Sequence, residues 1–170
     1  RMGRLPAGYR PAPDGKSLEA IPGGPADRRN NPTPSDLSKA EMAFDKDNKI
    51  VGLRVKTHAN FGGYMSLFSS SVPTYLYATL LSGQYNIQNI YCEVIGVYTN
   101  TTPVDAYRGA GRPEASFLIE RLMETAARKL KVDPAELRRK NFITSFPHQT
   151  PVIMAYDAGD FGASLDAALK

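Results

Sequence analysis

A long stretch without charge is the feature that most constrains this sequence. Residues 57–92, thirty-six in all, contain no Asp, Glu, Lys or Arg. Glycine, serine, asparagine and glutamine are spread along the stretch, so it is not a membrane-spanning helix. Unpaired charge is costly inside a protein. We therefore expect this stretch either in a packed core or along the wall of a buried site.

Length, charge and cysteine content narrow the class of protein. The 170 residues fit one domain or a piece of a larger one. Lys and Arg number 21 and Asp and Glu 17, and a net charge of +4 is too small an excess to argue for nucleic-acid binding. The beginning of the sequence has no apolar signal core, and Cys92, the single cysteine, cannot form an internal disulfide. We expect a cytoplasmic protein without a membrane span.

Residues 1–38 differ in composition from the rest of the chain. They contain seven prolines and five glycines, and their few apolar residues follow no period. Proline removes a backbone donor, and sparse apolar surface cannot offset the entropy cost of ordering a chain. We predict a poorly ordered arm over residues 1–38 and a folded domain over residues 39–170.

Local patterns in residues 39–170 predict an α+β fold. Two alternating runs flank the Asp- and Asn-rich residues 45–49, which predicts an antiparallel β-hairpin over residues 39–57. A short buried helix is expected over 72–81 and a buried strand over 90–98. Apolar spacings of three and four predict an amphipathic helix from Pro113 to about Leu130. A second helix capped by Asp133 and a terminal helix from Phe161 complete the expected elements.

The loop before the amphipathic helix combines two glycines with two arginines. Gly109 and Gly111 permit positive φ, and the helix start offers unpaired backbone donors. Arg108 and Arg112 add fixed cationic groups that suit phosphate, carboxylate or a metal-oxo species. No GK[ST] follows, so the loop is not a P-loop. A glycine-rich helix entry with surface arginines is the alternative that the composition leaves open.

Residues 105–115, DAYRGAGRPEA, resemble the active-site loop of molybdenum hydroxylase large subunits. This is the family of xanthine dehydrogenase, aldehyde oxidoreductase and aerobic carbon monoxide dehydrogenase. The resemblance continues through residues 119–124 and 133–143, and upstream through 86–91 and 100–103. It covers about residues 39–170, whereas residues 1–38 do not look like the corresponding segment. The resemblance implies a fragment of the molybdopterin-binding domain.

The resemblance also implies roles for the loop residues. Arg108 and Gly109 would bind the cofactor, and the substrate pocket would be lined by Tyr107, Ala110, Gly111 and Arg112. No residue of this chain would ligate the metal directly. The catalytic glutamate that acts as general base is expected beyond residue 170, because Glu114 and Glu120 are interpreted as helix-dipole and solvent-face residues.

Cofactors, partners and substrate follow from the same resemblance. Molybdenum would be carried by molybdopterin, as its cytosine dinucleotide, and FAD and [2Fe-2S] clusters would lie on medium and small partner subunits. Copper is not expected, because Gly109 stands where the copper-containing members have a cysteine and glycine offers no thiolate. The substrate would be an aldehyde, an N-heterocycle or a similar small molecule, hydroxylated with water as oxygen source. A purine is not expected, since residues 57–92 contain no arginine.

Two hypotheses of different kinds remain open from the sequence. The first is a molybdenum hydroxylase fragment that is inactive alone, and the second is a non-catalytic truncated α+β module that acts, if at all, through protein contacts. Cys92 is interpreted as a buried strand residue, and His58 and His148 lack a third ligand for zinc. Residues 138–140 are interpreted as a solvated basic helix end.

Overall fold

The computed structural model describes residues 37–103, 105–106 and 108–170, together with the strand Leu18–Ala20. The elements in chain order are β1 (Leu18–Ala20), β2 (Leu37–Phe44), β3 (Ile50–Gly62), a π-helical turn (Val72–Leu76), β4 (Ile90–Tyr98), α1 (Arg112–Leu130), α2 (Pro134–Asn141), β5 (His148–Gln149), β6 (Ala155–Tyr156) and α3 (Phe161–Ala168). This mixed content confirms the α+β class. The predicted terminal helix is confirmed as α3.

The main sheet has the order β1-β2-β3-β4. β2 and β3 pair antiparallel from Leu37–His58 to Phe44–Ile50, so the predicted hairpin is confirmed. Its turn is held by Asp45, whose Oδ1 accepts hydrogen bonds from the backbone N–H of Asp47 (2.9 Å) and of Lys49 (2.8 Å). β4 adds to β3 in parallel, and residues 63–89 form the crossover between them.

One face of the sheet is buried and the other carries charge. Along β3, Leu53, Val55, Thr57 and Ala59 are buried, while the residues between them point outward, as the period of two predicts. On the outer face, Arg54 pairs with Glu41 across the hairpin at 3.1 Å, and Lys56 pairs with Glu93 of β4 at 3.4 Å.

The predicted strand over residues 90–98 is present, but it is not buried. Its first six residues are half-buried, and Gly96, Val97 and Tyr98 are exposed. The reason is its place in the sheet: β4 pairs with β3 on one side, and nothing in the described part of the chain pairs with its other side. The apolar composition of an edge strand therefore misled the burial prediction.

α1 covers the buried face of the sheet. Its buried residues recur at intervals of three and four and are Ala115, Ile119, Leu122, Met123, Ala126 and Ala127. They belong to one apolar cluster with Met42, Leu53 and Val55 of the sheet. Each fully buried Leu, Ile or Met contributes about 2 kcal/mol relative to an exposed one. The prediction of an amphipathic helix is confirmed, with Arg112 as its first residue.

α2 is capped as predicted, but its basic end is not simply solvated. The Asp133 side chain accepts hydrogen bonds from the backbone N–H of Ala135 and Glu136. The Arg138 side chain is only 18% exposed, because its guanidinium lies against α1, where it bonds Glu120. Lys140 donates to the carbonyl of Asp47 in the hairpin turn (3.0 Å). These contacts correct the interpretation of residues 138–140.

The uncharged stretch is only partly interior. Its predicted helix is shorter than expected and begins as a π-helical turn, Val72–Leu76, in which the Leu76 N–H bonds the carbonyl of Ser71. Tyr77, Leu81, Tyr85 and Ile87 are buried in the core. Five large apolar residues are instead exposed: Tyr64, Met65, Leu67, Phe68 and Tyr75. Among the described residues, no helix is long and apolar enough to cross a membrane.

Strand pairing begins before the predicted domain boundary at residue 39. β2 starts at Leu37, and the Ser38 and Thr57 hydroxyls form a hydrogen bond of 2.8 Å. Ahead of it, β1 pairs antiparallel with residues 40–42. Residues 1–17 and 21–36 lie outside the described residues, and the predicted poor order of the arm stays a prediction there.

Candidate cofactor-binding loop

The loop between β4 and α1 lies at the carboxyl ends of the two parallel strands. Thr99 N–H donates to the carbonyl of Gly62 at 2.9 Å, and Gly63 N–H donates to the carbonyl of Thr101 at 2.8 Å. Further along, the Asp105 carboxylate accepts from the backbone N–H of Phe68 at 3.2 Å. The loop is thus held against the crossover segment from its first residues onward.

Three consecutive residues of this loop have positive φ. The angles are 109° at Gly109, 40° at Ala110 and 86° at Gly111. Glycine adopts such angles freely, whereas a left-handed alanine costs about 1 kcal/mol. The turn is closed by a hydrogen bond from the Arg112 N–H to the carbonyl of Gly109 (3.2 Å). A backbone of this shape turns sharply just before the helix.

The loop ends in the amino terminus of α1. Gly111 is the N-cap and contributes no side-chain cap, and Pro113 occupies the first turn. The Ala115 N–H bonds the carbonyl of Gly111 at 3.2 Å. The first turn of a helix carries a partial positive charge and N–H donors that lack intrahelical acceptors. This end of α1 is therefore suited to an anionic or acceptor-rich group.

The predicted cofactor residues lie together on this turn. Arg108 is exposed, and in the described part of the chain no carboxylate lies within ion-pair distance of it. Gly109 next to it is half-buried. An exposed guanidinium beside a turn of small residues can donate to a ligand that approaches closely.

The predicted pocket residues are placed differently from one another. Ala110 is half-buried on the turn, and Arg112 is exposed with its guanidinium 3.4 Å from the carbonyl of Gly109. Gly111 is buried against the π-helical turn. Tyr107 lies outside the described residues. The pocket assignments of these four residues stay predictions.

Glu120 has a different position from the one predicted. One of its oxygens accepts from the Tyr85 hydroxyl (2.6 Å) and the Gln84 amide (3.1 Å), and the other accepts from Arg138 Nε (2.9 Å). It is therefore the centre of a half-buried network that joins α1, α2 and the crossover, rather than a solvent-face residue. Burial first, and then the Glu120 hydrogen bond, raise the pKa of Tyr85 far above its ordinary value.

The remaining reactive side chains are separate from the loop. Cys92 is half-buried on β4, and burial raises the pKa of its thiol to about 11, so the thiol stays protonated near neutral pH. His58 lies on the exposed face of β3, and His148 is half-buried on β5. Across residues 37–103, 105–106 and 108–170, no group of three or more His, Cys, Asp or Glu side chains could hold a metal ion.

The sequence of this chain matches a known protein family and several of its members. The model of the molybdopterin cofactor-binding domain matches residues 31–142. The carbon monoxide dehydrogenase large chain of Hydrogenophaga pseudoflava is 41% identical over 134 residues, which are 76% of this chain and 17% of that relative. The nicotine 6-hydroxylase large subunit of Paenarthrobacter nicotinovorans is 32% identical and covers 75% of this chain and 16% of the relative.

A solved structure extends the similarity to three dimensions. The reconstituted CO dehydrogenase from Oligotropha carboxidovorans superimposes with a TM-score of 0.72 and 33% identity, covering 79% of this chain and 17% of that chain. The chain therefore belongs to the molybdopterin cofactor-binding domain family. More particularly, it corresponds to part of the large subunit of molybdenum hydroxylases of the carbon monoxide dehydrogenase and aldehyde oxidoreductase type. It spans about one sixth of the length of the relatives it matches.

Proposed function

We propose that this chain supplies the active-site loop of a molybdenum hydroxylase large subunit. The observation that carries the proposal is the exposed guanidinium of Arg108 beside a left-handed turn of small residues, at the amino terminus of α1, inside a domain of the molybdopterin-binding family. The substrate is an aldehyde, an N-heterocycle or a similar small molecule, and water supplies the oxygen.

The residues of the loop fit a molybdenum centre carried by molybdopterin. Oxo and hydroxo ligands are hydrogen-bond acceptors, and the loop offers donors: the Arg108 side chain and the backbone of a turn without bulky side chains. In this proposal Arg108 and Gly109 would bind the cofactor, and Tyr107, Ala110, Gly111 and Arg112 would line the substrate pocket. When bound, the molybdenum centre supplies the redox chemistry of the hydroxylation.

This chain contributes charge and orientation to the reaction. The Arg108 guanidinium offers several N–H donors in one rigid planar fork. A fixed donor aimed at negative charge that develops in the transition state lowers the barrier, because no reorganisation is needed when the charge forms. The small residues at positions 109 and 110 let the reacting groups approach the backbone closely.

The proposed site does not bind copper, although two of the relatives are named carbon monoxide dehydrogenase. Copper(I) is bound by soft thiolates, and the loop has Gly109 at the position in question. Cys92, the single cysteine of the sequence, lies on β4 rather than in the loop, and burial raises the pKa of its thiol. We therefore propose a substrate other than carbon monoxide.

The complete enzyme is proposed to be an assembly. Molybdopterin would be bound as its cytosine dinucleotide, and FAD and [2Fe-2S] clusters would lie on medium and small partner subunits of a cytoplasmic enzyme. The general base is supplied by a glutamate outside these 170 residues, because Glu114 is exposed on α1 and Glu120 is engaged with Tyr85 and Arg138. The chain alone is therefore inactive.

Metal analysis combined with a dye-reduction assay tests the proposal. The 170-residue chain alone is expected to contain no stoichiometric molybdenum and to oxidise neither an aldehyde nor an N-heterocycle. A chimaeric large subunit, in which this chain replaces the matching segment of the Hydrogenophaga pseudoflava relative, is expected to bind molybdenum without copper. Turnover by the isolated chain would refute its dependence on other segments. A correctly assembled chimaera without molybdenum would favour a non-catalytic module.

A further inference from the structure

We propose that Gly111 is a positioning residue: its missing side chain lets the loop rest directly on the π-helical turn Val72–Leu76, and this contact fixes the backbone that carries Arg108. The inference rests on the proposed function, since the direction of Arg108 matters to the reaction only if the loop receives the cofactor. The contact itself can be measured without any cofactor.

The contact at Gly111 is made with backbone atoms. A Cβ added here would lie 2.5 Å from the carbonyl oxygen of Val72, 2.6 Å from the amide nitrogen of Tyr77 and 2.9 Å from the carbonyl carbon of Leu76. Backbone atoms of a hydrogen-bonded turn cannot rotate away as the end of a side chain can. With φ at 86°, an L side chain would also be strained. Only glycine fits both conditions.

Backbone hydrogen bonds and burial hold the π-helical turn in place. Its Leu76 and Tyr77 N–H groups bond the carbonyls five residues earlier, those of Ser71 and Val72, so the turn is wider than an α-helical one. Val72 and Tyr77 are buried, and the Tyr77 hydroxyl lies 3.4 Å from the Thr57 hydroxyl of β3. The turn is thereby tied to the core of the sheet.

The path from this contact to Arg108 is short and constrained. Arg108 precedes Gly111 by three positions, and the residues between them, Gly109 and Ala110, have positive φ. A left-handed alanine persists only where its surroundings determine the conformation. The Arg112 N–H closes the turn on the carbonyl of Gly109. A displacement at Gly111 is therefore passed on to Arg108 rather than absorbed by free rotation.

Limited trypsin digestion of the 170-residue chain tests this inference. Trypsin cleaves after exposed Arg108 but not after Arg112, which precedes Pro113. Gly111→Ala is expected to raise the rate of cleavage after Arg108 about tenfold, which corresponds to about 1.4 kcal/mol of easier local opening. Far-UV circular dichroism is expected to remain that of the wild type.

Gly162→Ala is the matched control. It makes the same chemical change on α3, where the nearest atom to the added Cβ is 3.5 Å away. Its cleavage rate after Arg108 is expected to equal that of the wild type. Equal rates for Gly111→Ala, Gly162→Ala and the wild type would overturn the inference.

Gly109→Ala separates backbone strain from the contact. Its added Cβ would meet only side-chain atoms of Pro113, the nearest at 2.8 Å, although φ there is 109°. Hydrogen exchange at the Leu76 and Tyr77 amides is expected to rise in Gly111→Ala and not in Gly109→Ala. Equal exchange at these amides in both variants would mean that Gly111 supplies only its φ.

Two readouts complete the test. In the wild-type chain, a nuclear Overhauser effect is expected between the Gly111 Hα and the Tyr77 amide proton, and its absence would overturn the inference even if Gly111→Ala failed to fold.

In the assembled hydroxylase, Gly111→Ala is expected to keep stoichiometric molybdenum but change its electron paramagnetic resonance spectrum and lower kcat more than it raises KM. If the chain experiments succeed and the chimaera lacks molybdenum, the proposed function fails while the contact stands.

Discussion

The side-chain oxygen of Asn141 accepts a hydrogen bond from the backbone N–H of Ile50 at 2.8 Å, across 91 positions of sequence. The nitrogen of the same amide donates to the carbonyls of Asn48 (3.0 Å) and Leu137 (2.9 Å). One buried side chain therefore satisfies backbone groups of the hairpin turn and of α2 together. It fixes the end of α2 against the start of β3.

Removing this amide is expected to destabilise the whole fold. Asn141→Ala leaves the buried Ile50 N–H and the half-buried Asn48 carbonyl without this partner, which costs about 2 kcal/mol or more. The free energy of unfolding in urea gives the measurement. Asn89→Ala is the control, because the Asn89 side chain is exposed and, among the described residues, donates only one hydrogen bond, to the carbonyl of Val51 at 3.0 Å, so its loss is expected to cost far less. Equal losses in the two variants would contradict this account.

The network around Glu120 provides a second stability prediction. Glu120→Ala removes the acceptor of Tyr85, Gln84 and Arg138 at once and is expected to lower the free energy of unfolding by about 2 kcal/mol. Glu114→Ala, an exposed change on the same helix, is expected to cost about 0.5 kcal/mol through the helix dipole. A double-mutant cycle of Glu120→Ala with Arg138→Ala should show coupling. Additive effects would mean that the network contributes nothing beyond its separate side chains.

The sequence predicted the elements well, because those depend on local chemistry. The alternation in residues 39–57, Pro113 before an amphipathic run and the cap at Asp133 each point to one structure. Glu120 was misinterpreted because its partners, Tyr85 and Arg138, come from distant parts of the chain. The helical pattern of α1 shows which residues leave the apolar face, but it does not show what covers them.

The sequence pointed to the loop residues of the candidate site, but it did not point to the π-helical turn against which the loop packs. Glycines and arginines before a helix left a plain helix entry open, and it was the resemblance of residues 105–115 to a known active-site loop that selected residues 107–112. Nothing in the spacing of residues 72–76 indicated a π-helical turn, since that turn differs from an α-helix by one hydrogen-bond position. Gly111, a glycine immediately before a helix, indicated at most a positive φ or a close approach of another backbone, and not which segment makes that approach.

Cys92 should make the stability of the chain depend on pH in the alkaline range. Its pKa rises from an ordinary value of 9.0 to about 11 by burial, so the folded thiol keeps a proton that the unfolded thiol loses. The contribution of Cys92 to the free energy of unfolding is therefore constant below pH 9. It falls as the pH rises from 9 to 11, because the unfolded thiol then loses its proton while the folded thiol keeps it. Urea unfolding of the wild type and Cys92→Ala between pH 7 and pH 10.5 measures this difference. Parallel pH profiles would show that the thiol titrates alike in both states.

In an assembled enzyme, Arg108 is expected to govern turnover. Arg108→Ala removes the fixed donor that the proposed function assigns to the metal centre, and it should lower kcat about a hundredfold, the order of loss for one electrostatic stabiliser. Arg121→Ala, which removes an exposed guanidinium from α1, is the control and should leave kcat unchanged. Molybdenum content must be measured for both variants. An unchanged kcat for Arg108→Ala with full metal content would remove Arg108 from the site.

The bond between Asn141 and the hairpin also bears on how the chain is made. A ribosome adds about 5–20 residues per second, so the hairpin leaves the exit tunnel on the order of ten seconds before the residue that secures its turn. In the first part of that interval, before α1 emerges, the apolar side chains of Met42, Leu53 and Val55 have no helix to cover them. Newly made chains are therefore most vulnerable to aggregation and to chaperone capture before α1 and α2 emerge. Slower translation over residues 57–141 would lengthen that period, and a holdase would be most useful there.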